Sequence, residues 1–142
     1  MKIALILVLC SATLAAGCGG SSGKAESADT FMHRITTEFS RGQAGRLYDS
    51  LVPAEQRVVT RAKYLACQGN GGFRMRSFKV LESYDERVEV EGAEEGSTAV
   101  TVQVTSDDGV TTATMHAIKV GGSWRWMLQP ADLKAYAAGR CP

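Results

Sequence analysis

The sequence predicts an α+β domain in which N-terminal helices pack on a curved, mostly antiparallel sheet. Three observations predict it. Apolar residues recur at helical spacing through Ala66, and after Phe73 they alternate with polar ones instead. Two glycine-containing turns, counted separately, then place the same residues on one sheet face.

The helical half opens with DTFMHRITTEFSRGQ, where Phe31, Ile35 and Phe39 form one apolar stripe with Met32 beside them. Gly42 and Gly45 punctuate it. A short second helix follows, with Leu47, Tyr48 and Leu51 on one side. Pro53 suits a first-turn position, and Val58, Val59, Ala62, Leu65 and Ala66 continue an apolar face. Thr60 is a candidate cap for a separate last segment, and QGNGG at 68–72 ends this half.

In the second half, RVEVEG predicts Val88 and Val90 facing inward, and AEEG at 93–96 reads as a loop between strands. Asp108-Gly109 and Gly121-Gly122 are the expected two-residue turns. They pair Val104 with Ala113, Val102 with Met115, Val100 with Ala117, and Ala117 with Trp126. The predicted inner face is therefore Val100, Val102, Val104, Ala113, Met115, Ala117, Trp126 and Leu128. The other face, with Thr101, Gln103, Thr112, Thr114 and His116, reads as solvated.

The N-terminus carries a different kind of signal. Met1-Lys2 precedes an uncharged apolar run from Ile3 to Cys10, and small residues lead to Leu14-Ala15-Ala16-Gly17-Cys18. That run falls short of the roughly 20 residues a bilayer span requires. The stretch resembles the lipobox of bacterial lipoproteins, with Ala15 where the usual box has leucine. The resemblance implies cleavage before Cys18 and lipidation of its thiol; plain secretion or an uncleaved anchor is the alternative. Residues 1–17 are then the signal, 18–28 the lipidated cysteine and its flexible tether, and 29–142 a single domain. The expected location is the cell membrane, lipid-anchored on the extracytoplasmic side. GGSSGKAESA, the tether, has an extended reach of ~35 Å, so the domain works close to the bilayer.

Cysteine usage agrees with export. Cys10 leaves with the signal, Cys18 takes the lipid, and Cys67 and Cys141 remain as an even pair. A bridge between them is expected; two buried thiols are the alternative. Losing Lys2 leaves basic and acidic residues equal in number. A neutral chain lacks the basic face that nucleic acid requires, so no nucleic-acid partner is expected.

The order of elements over about 29–130, ending in GGSWRWMLQ, resembles the nuclear transport factor 2-like fold, a cone-shaped α+β domain. Its final Gly-x-Trp hairpin is similar to that of the family's bacterial extracytoplasmic members. The resemblance implies helices closed over a concave sheet, leaving a pocket. Phe31, Ile35, Tyr48, Val102, Met115 and Trp126 are the candidate lining, and the outer sheet face, including His116, is a candidate homodimer contact.

The inward sheet positions carry no carboxylate or imidazole, and the sequence shows no nucleophile–base constellation, phosphate loop or metal-ligand spacing. Neither a catalytic residue, a metal nor a cofactor is expected. The chain reads as a tethered, non-catalytic binding or accessory module for a small apolar ligand or an envelope protein. The alternative is a pocket enzyme with isomerase- or dehydratase-like acid–base chemistry drawing on Asp49 or Tyr48. A pocket filled by its own side chains, making a spacer domain, is the third reading. A titratable group at the pocket discriminates between the first two.

Overall fold

A computed structural model describes residues 26–70 and 75–142. Cys18, the signal, most of the tether and Phe73 lie outside the described residues. Four helices come first: α1 (Ala28–Ser40), α2 (Ala44–Asp49), α3 (Pro53–Val58) and α4 (Arg61–Asn70). A four-stranded antiparallel meander follows, β1 (Met75–Val90), β2 (Ala93–Ser106), β3 (Gly109–Val120) and β4 (Ser123–Met127), in the spatial order of the chain. The last element is α5 (Pro130–Ala137). This is an α+β domain with its helices on one face of the sheet. Among the described residues no helix is long and apolar enough to cross a membrane.

Local chemistry sets the helix boundaries. The Ser27 hydroxyl accepts the Thr30 N–H at 3.2 Å, capping α1 at its start. Gly42 ends it with φ +64°; the Gln43 N–H reaches back to the Glu38 carbonyl and the Gly42 N–H to that of Phe39. Val59 and Thr60 break the helical run, and Thr60 caps α4 through the Lys63 N–H at 3.3 Å. That break resets the helical phase. The buried face of α4 is Tyr64 and Cys67, while Ala62 and Ala66 of the predicted stripe are exposed.

The sheet corrects three sequence expectations and keeps the inner face. The β2–β3 turn is Asp107-Asp108, with Ser106 opposite Gly109, so Val102 pairs with Ala113 and Val100 with Met115. A mirror-image turn over Asp108-Gly109 needs positive φ at both residues, and Asp108 does not have it. The resulting shift is two residues, which preserves the face. Val100, Val102, Val104, Ala117 and Trp126 all lie in the helix–sheet core. The second correction comes from a bulge in β1, where Val80 pairs with Val102 but Glu82 with Thr101, leaving Leu81 unpaired. It reverses the parity beyond it, so Val88 and Val90 share the outer face with Glu86. The acidic stretch at 93–96 is part of β2, opposite the end of β1.

The Ser50–Val52 segment extends the sheet edge. The Trp126 N–H donates to the Ser50 carbonyl at 3.0 Å and the Val52 N–H to that of Trp126 at 3.1 Å. Phe31, Met32 and Ile35 are fully buried between α1 and the sheet. Burying each such side chain stabilises the fold by about 1.5–3 kcal/mol.

Candidate functional site

Two adjoining cavities open between the helices and the inner sheet face. One, of about 230 Å³, is floored by Val102, Val104, Ala113 and Met115. The other, of about 370 Å³, is walled by Tyr64, Cys67, Gln68 and Tyr136. Phe39, Trp126 and Asp132 border both.

Each bordering residue is held by a separate element. Phe39 comes from the last turn of α1 and meets the Trp126 ring edge-to-face at 5.3 Å between centroids. Trp126 comes from β4, and its indole N–H donates to the Leu47 carbonyl at 2.8 Å, which fixes the ring. Asp132 lies in the first turn of α5, whose start at Pro130 follows a fixed strand-to-helix junction. There the buried carboxylate of Glu55 accepts the Leu128 N–H at 2.9 Å.

The far wall is tied down covalently. Cys67 and Cys141 form a disulfide with S–S 2.06 Å and Cα atoms 5.3 Å apart. Gly139, at φ +73°, closes α5 by the same backbone turn that ends α1 and directs the chain back to α4. The Lys63 ammonium donates to the Gly139 carbonyl at 2.7 Å. Tyr136 of α5 then packs on Tyr64 of α4, with ring centroids 6.0 Å apart.

Burial dominates the electrostatics here. It raises the Asp132 carboxyl above its ordinary value. It also pushes the Tyr64 phenol up, with the neighbouring Tyr136 and Asp132 charges adding to the effect. Tyr136 is raised by burial as well; Gln68 beside it favours the ionised phenol, yet makes no hydrogen bond of normal length and angle to it. Both phenols are therefore neutral donors at physiological pH. Among the described residues neither buried hydroxyl has a hydrogen-bond partner.

Of the six residues expected to line the pocket, Val102, Met115 and Trp126 do so. Phe31 and Ile35 have no exposed surface and belong to the packed core. Tyr48 packs at a tilt against Tyr64, with centroids 5.8 Å apart, and lines neither cavity. Asp49 pairs with Arg61 on the surface. Sequence reasoning missed Asp132, Tyr64 and Tyr136. The amphipathic stretch ADLKAYAA was a visible signal, but which side of it faces a cavity depends on the tertiary fold.

The histidines stand elsewhere. His33 is exposed, edge-on to Phe78 at 5.0 Å. His116 pairs with Glu86 on the outer sheet face, and Ser97 also contacts Glu86, at 3.3 Å. A nucleophilic relay requires imidazole against hydroxyl. Here the carboxylate stands between them.

A Campylobacter jejuni structure named as a nuclear transport factor 2-like transpeptidase superposes on this chain with a TM-score of 0.51. The match covers 73% of this chain and 100% of that one, at 10% sequence identity. The fold is nuclear transport factor 2-like. No protein-family model matches the sequence, and no curated protein matches it. At such low identity the nuclear transport factor 2-like likeness concerns architecture: helices over a concave sheet, with the cavity between them.

Proposed function

We propose that this protein is a membrane-tethered extracytoplasmic lipoprotein whose cone binds a small apolar ligand without transforming it. The anchor is supported by the apolar run, the small residues at 14–17 and Cys18 directly after them. A Cys67–Cys141 bridge fits an oxidising compartment. The observation that carries the binding reading is the cavity floor of Val102, Val104, Ala113 and Met115, apolar throughout. Ligand sites are concave and mostly apolar, with few polar groups.

Acyl transfer, the chemistry in the Campylobacter neighbour's name, needs an activated serine or cysteine. Among the described residues the cysteine at the cavity is Cys67, and it is bonded to Cys141.

One observation favours a second reading. Asp132 borders both cavities and its carboxyl is raised by burial, as a general acid or base would be. An acid–base enzyme predicts that Asp132→Asn abolishes turnover of a bound ligand. The binding reading predicts that ligands extracted with the wild-type protein are recovered chemically unchanged after prolonged incubation.

Three measurements test the main proposal. Cys18→Ala is expected to move the protein from the membrane to the soluble fraction, and intact mass of the wild type is expected to begin at an acylated Cys18. An unlipidated, membrane-free wild type would remove the anchor. For the cone, Ala113→Trp places a bulky ring on the cavity floor. We expect an environment-sensitive apolar dye to bind it at least tenfold more weakly than wild type, with unchanged circular dichroism. Equal dye binding would argue that the cavity is not the site.

A further inference from the structure

The two edges of the sheet differ. Beyond β4 the Ser50–Val52 segment continues it, whereas among the described residues no strand lies beyond β1. β1 is 16 residues long, and two of the four exposed large hydrophobic side chains among those residues, Leu81 at 47% and Tyr84 at 49%, stand on it. A free edge of that length is a template for another strand unless something blocks it.

Bulges and charged side chains are the usual blocks, and β1 has both. Their arrangement here is self-complementary instead. Lys79 lies opposite Gln103 and Glu82 opposite Thr101, two positions apart on β2. Lys79 and Glu82 therefore share one sheet face and one hydrogen-bonding direction. In a regular strand residues spaced like these stand on opposite faces; the extra residue at Leu81 aligns them. Both are exposed, and neither has an ion-pair partner among the described residues. Glu82 accepts the Thr101 hydroxyl at 3.5 Å.

We infer that β1 pairs antiparallel with β1 of a second copy of this chain, about a two-fold axis beside Leu81 that sets each Lys79 against Glu82 of the other copy.

Charge selects this register. The axis stands perpendicular to the sheet, so each face stays on its own side. Moved one ladder position one way, it sets Lys79 against Lys79; moved one the other way, it sets Glu82 against Glu82. Like charges directly across two strands are destabilising. Between them, opposite Val102, both Lys79–Glu82 contacts form at once, while Ser77 meets Tyr84 and Phe78 meets Ser83 with faces matched. Val80 and Leu81 occupy the centre, flanked by the two ion pairs. An axis at Ser83 would set Lys79 against Glu86, but that carboxylate is already held by His116 and contacted by Ser97. Main-chain bonds along the edge supply affinity, and the charges fix the alignment.

The same axis suits the anchor. The Trp124 indole N–H donates to the Glu26 carbonyl at 2.7 Å and its ring packs on Phe31 of α1, so the chain enters the domain on the helix-covered side. The two-fold places both helix layers, and both entry points, on one side of the joined sheet. From Cys18 to Glu26 the extended chain reaches about 28 Å, which lets both anchors enter one bilayer. The pairing itself does not depend on the anchor.

Sedimentation equilibrium of the full chain in density-matched detergent micelles tests the pairing. Wild type is expected to show a monomer–dimer equilibrium. Lys79→Glu and Glu82→Lys each replace two ion pairs by two like-charge contacts, and each is expected to raise the dimer Kd about tenfold. The double variant Lys79→Glu/Glu82→Lys exchanges the charges at constant composition and is expected to return to within about threefold of wild type. A damaged fold does not produce that rescue. A wild type still monomeric at about 1 mM, the effective concentration that short tethers provide, would overturn the proposal. A dimer indifferent to Glu82→Lys would do so as well, by placing the contact in another register or on the outer sheet face. Single variants that weaken the dimer without recovery in the double variant would remove the Lys79–Glu82 contact and the register with it.

Discussion

Removing the Cys67–Cys141 bridge by double substitution to alanine lowers the stability of the domain by about 4 kcal/mol, which corresponds to a fall of roughly 15 °C in melting temperature. The magnitude follows from the sequence separation of 74 residues, because a cross-link that closes a long loop removes more freedom from the unfolded chain than a short one. A folded-state effect adds to it. Cys67 is 5% exposed and lies in the cavity wall between Tyr64 and Gln68, so α4 and α5 lose their covalent tie at the place where their tyrosines meet. Thermal melts of wild type with and without reductant, beside the Cys67→Ala/Cys141→Ala variant, check this. The reduced wild type and the variant are expected to melt together, well below the oxidised protein. Coincidence of all three curves would mean that the tail docks without the bridge. Ligand affinity should fall with the bridge, since the bridge ties the chain after α5 to the α4 wall of the cavity.

What could be read from the sequence was whatever depended on parity and punctuation. Val100, Val102, Val104, Ala117 and Trp126 reach the core because strand periodicity assigns faces, and a turn misplaced by two residues does not disturb that assignment. Leu81 shows where the same logic fails. A bulge adds one residue without leaving a mark in an alternating pattern, and every side chain beyond it changes face. Val88 and Val90 moved for that reason. Tyr64 was hidden by phase: the break at Val59 and Thr60 restarts the helix at Arg61, so the spacing of Val58 and Val59 does not carry across to α4. The candidate site was least legible of all. Asp132 and Tyr136 become wall residues only when the Gly139 turn and the disulfide, which joins residues 74 apart in the chain, fold α5 against α4. Tyrosines on short helices carry no local sign that they border a cavity.

Glu55 supplies the other large effect, and it depends on pH. Its carboxyl is 4% exposed, sits in the first turn of α3, and accepts the Leu128 N–H. Burial pushes its pKa from 4.5 up to about 7, opposed in part by that hydrogen bond. The folded protein therefore holds a proton that the unfolded chain gives up near pH 4.5. Between those two values folding takes up a proton, so stability falls as pH rises. The contribution is fully present below about pH 4.5 and is lost by about pH 7, a change on the order of 3 kcal/mol. Glu55→Gln retains an oxygen to accept the Leu128 N–H and cannot ionise. Denaturant titrations are expected to find the two proteins equally stable at pH 4 and the variant more stable by about 3 kcal/mol at pH 8. Taking the difference between the two proteins cancels the titration of groups they share, including Asp132. A difference that stays constant across that range would mean that Glu55 is ionised in the folded protein without penalty. Glu55→Ala separates the charge from the hydrogen bond: it orphans the Leu128 N–H and is expected to be less stable than Glu55→Gln by about 1–3 kcal/mol at every pH. Because Leu128 lies two residues before the start of α5, with only the cap residue Gln129 between, the same bond helps set where Asp132 and Tyr136 stand. Loosening it should weaken ligand binding even where the fold survives.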